Sequence, residues 1–538
     1  MSTNAAARTH PLTRATRGLS QRERGWPATL TRHGHDAAPR RGESRSPHGG
    51  GLAADLGRRR DGGHLPVQQP AAPGRGASVF AGFHNMDQRY YGFMPLHPFV
   101  LAAVFRVLGP GLAQARLETV ALTALTLALT FGLGWRLFGA WVGALAVALL
   151  VLVRWTGLTY VQLTGIPAVD FARIARYDPL VPAIGLGALH VYLSARARRG
   201  PSLYLLAGVL AGVAGLAHVY GLFWVPALVL LAAWDGRLRQ TPWLILGSLL
   251  PWLPYAAYVL VDLPDWRGQT AIYASRFELL NPAWYLDNVL QEYHRYGPGL
   301  GPPGLGWAAR PGVWFLLIAL PATLIALARQ ALFKSGAAAA ARAVVVPALL
   351  FPILFALFIK LKLVNYTLIE LPLFSIAIAW GLTRPRLWSR IPARSLLATI
   401  CCAAVLFEGA ASLARLEQAA AVSTPYPTFV SEIRAYLPPG ARVLGLHSYW
   451  LGLEDFDYRS FLVPLNLADE GLPLDQALSR VAPDIVLLDA RMRAYFDAPE
   501  VQADHDRFYG WLTQHTAQVI GRIDDPTYGL MEVYRLGR

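Results

Sequence analysis

The sequence predicts an α-helical polytopic membrane protein of about ten transmembrane helices, followed by a C-terminal α/β domain outside the bilayer. Three observations predict it. Apolar segments follow one another from about Leu117 to Leu413, arginine and lysine collect on every second connecting loop, and beyond about Ala420 short alternating and amphipathic stretches replace the long apolar runs. A chain of 538 residues that is 54% hydrophobic is too apolar for a soluble enzyme. A net charge of +15 would point to nucleic acid in a soluble protein. Much of it sits in residues 1–76 and in short loops, so it reads as membrane orientation, and no nucleic-acid partner is expected. The two cysteines, Cys401 and Cys402, are adjacent in an apolar run, where they build neither an ordinary structural disulfide nor a zinc site.

Taken in order, residues 1–76 are rich in Arg, Gly, Pro, Ala and His without periodicity and read as a disordered basic segment. Residues 77–113 read as an outer-face loop in which Phe99 to Leu108, holding Arg106 and too short to span, forms an interfacial helix. The transmembrane unit, 114–415, places spans near 114–136, 139–156, 178–195, 202–219, 220–234, 241–262, 311–330, 343–360, 364–383 and 395–415. Arg136, Arg196 to Arg199, Arg237 and Arg239, Arg329 to Arg342, and Arg384 to Arg394 then mark the cytoplasmic face. Loops 157–177, 263–310 and 361–363 face outward with the tail from 416, in the inner membrane of a bacterium. An even span count also puts the N-terminus outside, where an arginine-rich segment without an export signal does not belong. A first transmembrane helix and its loop that are missing or replaced would account for this.

In the tail, 416–538, Phe429 to Leu437, Leu474 to Val481 and Asp504 to Thr513 read as helices. Arg442 to Leu446, Ala517 to Ile523 and Leu530 to Leu536 read as strands, and Asp484 to Asp489 as a buried parallel strand. No glycine-rich phosphate loop follows an early strand, so dinucleotide binding has no support and the domain reads as a packing or acceptor-docking cap.

Ionisable residues at span ends on one face are the functional candidates, because lipid exposure would be expensive. The run from Asp170 to Pro179 offers Arg173, Arg176 and Asp178 on the outer face, although Asp178 before Pro179 is equally an N-cap with proline at N1. Lys360 and Lys362, followed by Tyr366, sit where the positive-inside rule disfavours cations. An anionic head group or phosphate would explain them, and so would snorkelling. His218 beside Tyr220 is a ligand contact or an interhelical hydrogen bond, and His97 between Pro95 and Pro98 is a site or a turn. Loop 263–310 mixes aromatics with charge, as sugar or head-group surfaces do and as interfacial aromatic belts also do.

Arg176-Tyr177-Asp178 opening a span, Pro95-Leu96-His97-Pro98 entering an interfacial helix, Lys360 to Pro372 entering a late span and the α/β tail together resemble bacterial GT-C glycosyltransferases. The likeness covers about residues 80–415 and is nearest to relatives of protein O-mannosyltransferases and aminoarabinose transferases, the dolichyl-phosphate-mannose-protein mannosyltransferase-like group. It implies a GT-C-like fold and transfer of a sugar from a polyprenyl-phosphate donor to a lipid, glycan or protein acceptor at the outer face. An aspartate would act as base and basic residues would hold the leaving phosphate. On that resemblance Asp178 is the second-loop carboxylate, Asp87 the fallback base, and Arg173, Arg176, Lys360, Lys362, Tyr366, His97 and His218 substrate contacts. The family's Asp-Glu motif after the first span has no match before Ala77; Asp87-Gln88-Arg89-Tyr90 only mimics it, which puts competence in question. No cofactor is expected, and a divalent metal has no support in the sequence. A transporter or flippase of lipid-linked saccharides would use the same basic face without a base, but shows internal repeats that are not seen here. A non-catalytic membrane partner is the third reading.

Overall fold

The computed structural model describes residues 79–537 apart from 157–162, 199, 275, 301–309, 334–335 and 385–393. The basic segment 1–76 lies outside the described residues. Among them, six helices are long and apolar enough to cross a membrane: Leu112–Phe138, Leu180–Arg198, Leu238–Leu260, Pro311–Ala331, Ala337–Phe358 and Ala398–Arg434. Five shorter apolar helices, Leu96–Leu108, Ala140–Leu152, Pro201–Ala217, Val219–Trp234 and Leu371–Leu382, complete the bundle. Large side chains such as Trp141, Leu253, Leu260 and Phe407 remain exposed on its outside, the surface a bilayer would cover.

Several spans are shorter than their apolar runs. The run expected from 364 opens as a tight 3-10 turn, Val364–Ile369, and becomes α-helical only at Leu371, with Pro372 in the first turn. The Leu96–Leu108 helix buries His97, Leu101 and Phe105 along one stripe while Phe99 and Val107 stay exposed, as an interfacial helix does. Loop 263–310 contains helices at Leu263–Ala274, Pro282–Leu290 and Tyr293–Leu300, which its mixed composition had hidden.

Between lipid-embedded helices there is no hydrophobic driving force, so contact depends on close packing. Pro201–Ala217 and Thr241–Leu249 meet backbone to backbone. A Cβ at Gly208 would stand 2.2 Å from the Leu244 carbonyl oxygen, one at Gly212 2.2 Å from that of Ser248, and one at Gly247 2.2 Å from that of Leu205.

The soluble domain is a five-stranded mixed sheet with strand order β2-β1-β3-β5-β4. Its strands are β1 Arg442–Gly445, β2 Asp457–Ser460, β3 Ile485–Leu488, β4 Gln518–Asp525 and β5 Gly529–Arg535. β1 runs parallel to both β2 and β3, while β5 is antiparallel to β3 and to β4. β3, read from the sequence as a buried parallel strand, is parallel to β1 and antiparallel to β5. Its four residues are all buried, which the unbroken Ile-Val-Leu-Leu run reflects. The β4–β5 turn is closed by Asp525, whose Oδ1 accepts from the amides of Thr527 and Tyr528, and by Gly529 at φ +73°. β2 and the following Leu462–Asp469 helix were not legible in the sequence.

The segment read as the start of an outer loop belongs in part to this domain. Val79, Phe80, Phe83 and Met86 share its hydrophobic core, and the Val79 carbonyl accepts from the Ser460 amide. The same segment is tied to the helical part: Asn85 Nδ2 donates to Asp265 Oδ2 at 2.7 Å, and Gln269 Nε2 donates to the carbonyls of His84 and Arg89 at 2.8 Å each. Residues 79–91 therefore strap sheet to bundle.

Gly212→Val is expected to force the Pro201–Ala217 and Thr241–Leu249 backbones apart, because the obstructing atoms are backbone and cannot rotate away. The folded, monodisperse fraction recovered in detergent should fall severely, whereas Gly187→Ala, which meets nothing within 4 Å, should leave it unchanged.

Candidate functional site

Asp178 is fully buried at one end of the bundle, just ahead of the Leu180–Arg198 helix. Its Oδ2 accepts from Arg176 Nε at 2.6 Å, and its Oδ1 accepts from Tyr220 OH at 3.1 Å and Asn365 Nδ2 at 2.7 Å. The carboxylate faces these side chains rather than the amides of the helix's first turn, so it is not the N-cap that Asp-Pro suggested. Burial alone would raise its pKa, but the Arg176 guanidinium prevails and holds it below the ordinary carboxylate range.

The floor of the site is aromatic. Tyr177 stacks on His218 with ring centroids 4.9 Å apart, and Tyr366 packs on Tyr220 at 4.9 Å and on His218 at 5.6 Å. The His218 Nδ1 accepts from the Tyr220 amide at 3.4 Å, so His218 is fixed by the turn it opens. Thus Arg176, Asp178, His218 and Tyr366 come together from three separated stretches of chain.

A second buried network adjoins the first across Phe355. Phe355 lies 5.3 Å from the Tyr220 ring and 5.8 Å from that of Tyr366, while the Arg295 guanidinium sits 4.2 Å from its centroid. Arg295 Nη2 donates to Glu370 Oε1 at 2.9 Å and also pairs with Glu292, and Tyr296 OH donates to Glu370 Oε2. Lys362 ends here too: its ammonium is 2.9 Å from Glu292 Oε2 and donates to the Phe355 carbonyl at 2.8 Å. That pairing accounts for Lys362 without a phosphate. Lys360 lies half-buried in the same loop.

The remaining candidates go elsewhere. Asp87 acts electrostatically on Arg459 of the sheet domain and is not gathered around Asp178. Arg173 neighbours Asp170 and Arg116, with its Nε buried and unbonded. Asp170 itself is structural, accepting from the amides of Leu163, Thr164 and Gly165. His97 is buried with its Nε2 3.3 Å from Glu118 Oε2, and its ring is 6.3 Å from that of Tyr177. Sequence reasoning passed over Glu118, Arg295 and Glu370. An acidic side chain inside an apolar helix or at its entry was the available signal for Glu118 and Glu370. Arg295 had none beyond its loop's mixed composition. Among the described residues, no group of three or more His, Cys, Asp or Glu converges as a metal-ligand set.

Asp178→Asn should strand the Arg176 charge in a site where its side chain is 11% exposed, at a loss of about 3 kcal/mol. A helix cap would tolerate the same change to within about 1 kcal/mol. Unfolding of the detergent-solubilised protein distinguishes the two. Because the folded carboxyl binds its proton less readily than the unfolded one, its stabilisation is complete above about pH 3.9 and is lost as pH falls further.

No protein-family model and no curated protein matches this sequence. Solved structures do match its fold. The apo crystal structure of ArnT from Cupriavidus metallidurans superposes with a TM-score of 0.50 at 15% identity, covering 85% of this chain and 89% of that one. The Archaeoglobus fulgidus oligosaccharyltransferase, in a crystal structure with a tethered acceptor peptide, superposes with a TM-score of 0.50 at 12% identity, covering 82% of this chain. This chain spans 66% of that archaeal enzyme's length. At such identities the likeness is one of architecture: the chain shares the fold of these two solved structures.

Proposed function

We propose that this chain is a membrane glycosyltransferase that moves a sugar from a polyprenyl-phosphate donor to a lipid, glycan or protein acceptor at the extracytoplasmic face of a bacterial inner membrane. The observation that carries the reading is the buried Arg176–Asp178 pair, 2.6 Å apart and walled by Tyr177, His218, Tyr220 and Tyr366 at one end of the bundle. The alternation of basic loops supports placing that end outside.

In this reaction the acceptor hydroxyl oxygen attacks the anomeric carbon. The bond from that carbon to the phosphate oxygen breaks, and the carrier phosphate leaves with the electron pair. Arg176, with Lys360 from the neighbouring loop, would neutralise the charge that grows on the phosphate. Lys362 belongs to the second network, where it meets Glu292 and the Phe355 carbonyl. Asp178 would orient the acceptor hydroxyl and take its proton. A carboxylate with donors on both oxygens is a weak base, which suits transfer late in bond formation, when the hydroxyl has become acidic. The aromatic walls present ring faces and polar edges, the combination that sugars pack against.

The test supplies membranes containing the full chain with labelled polyprenyl-phosphate sugars and measures release of free polyprenyl phosphate. Asp178→Asn and Arg176→Gln should each lower release by about a hundredfold, the loss typical of an electrostatic stabiliser. Release equal to wild type in both variants would sink the assignment. Movement of uncleaved lipid-linked saccharide across the membrane would replace transferase by transporter.

A further inference from the structure

The sheet domain holds a cavity of about 170 Å³ that has no part in the reaction proposed above. Arg442, Arg459 and Arg480 line it together with Val463, Leu467 and Gly82 of the strap. The sheet explains why they converge. Arg442 opens β1 in register with Asp457 of β2, and Arg459 lies two residues along β2, on the same face as Asp457. Arg480 comes from the last turn of the Leu474–Val481 helix.

Asp457, Asp484 and Asp87 surround the arginines, and Arg442 also donates through Nη1 to the Val481 and Ala482 carbonyls. Asp457 serves two arginines at once, through Oδ2 to Arg442 Nε at 2.7 Å and Oδ1 to Arg459 Nη2 at 3.0 Å. Asp484 is turned to the backbone amide of Arg442 at 2.9 Å, and Asp87 acts on Arg459 from the strap. The Arg459 side chain is only 13% exposed, so its charge is poorly hydrated. Three arginines lining one small volume suit an oxyanion with several acceptor oxygens, which guanidinium groups bind through paired donors. The volume sets the size: water occupies about 30 Å³ in the liquid, so 170 Å³ takes a tetrahedral anion with a small organic substituent. It is smaller than the ~300 Å³ at which drug-sized pockets begin.

We infer that this cavity binds a phosphate-type oxyanion, free or carried on a small organic group. The inference stands independently of the transferase reading, since it concerns the sheet domain and needs no turnover.

Calorimetric titration of the full chain in detergent, at constant ionic strength, tests it with inorganic phosphate and with glycerol 1-phosphate. Saturable binding of at least one probe is expected, weakened tenfold or more by Arg480→Gln and by Arg459→Gln. Arg480 is exposed on its helix, so its replacement leaves the fold intact, and an unchanged circular dichroism spectrum would verify that. Tighter binding of glycerol 1-phosphate assigns the cavity to a phosphorylated organic group, whereas equal or tighter binding of phosphate assigns it to the free ion. Absence of saturable binding by both probes, or binding that survives both substitutions, overturns the inference.

Discussion

A carboxylate with no access to solvent must find its hydrogen bonds within the protein, and at Asp178 that requirement organises the site end of the bundle. The donors come from the approach to one span, from the turn after Ala217 and from the 3-10 turn before Leu371. None of the three stretches can shift alone without leaving a buried polar atom unpaired. The 3-10 turn carries both Asn365, which reaches Asp178, and Tyr366, which joins the aromatic wall.

The Glu370 network repeats this logic one layer away. Glu370 and Arg295 are fully buried and meet from distant parts of the chain, with Glu292, three residues before Arg295, as a second counter-charge. Such pairs add little net stability over apolar packing but strongly penalise wrong arrangements. In a bundle whose helices gain nothing from hiding apolar surface from lipid, that penalty and the glycine-mediated backbone contact at Gly208 and Gly212 define which helix lies against which. Phe355 touches both networks, so the two polar clusters share one apolar wall.

The long spans were legible because length and hydropathy suffice to mark them, as were the β1, β3, β4 and β5 strands and the main soluble helices. Arg176, Asp178, His218 and Tyr366 were recognisable as unusual residues at span ends. Their convergence was not, since Tyr220 and Asn365 lie 42 and 187 residues from Asp178 and only the fold brings them near. Lys362 looked like an unpaired cation because Glu292 was read as part of a loop surface. Asp87 was a candidate because Asp87-Gln88-Arg89-Tyr90 mimics the acidic motif of the resembled family, and in the structure part of the surrounding stretch is core to the sheet domain.

That strap has a mechanical consequence. Rings follow one another from the sheet core to the buried carboxylate: Phe80 to Tyr90 at 6.1 Å, Tyr90 to Phe93 at 6.1 Å, Phe93 to Tyr177 at 5.6 Å, then Tyr177 onto His218. Close-packed rings transmit displacement instead of absorbing it. The series ends at Tyr177, the residue next to Asp178, so the packing of the sheet domain and the packing around the buried carboxylate are continuous. The sheet domain is thus joined to the site by a file of packed rings as well as by the hydrogen bonds of the strap.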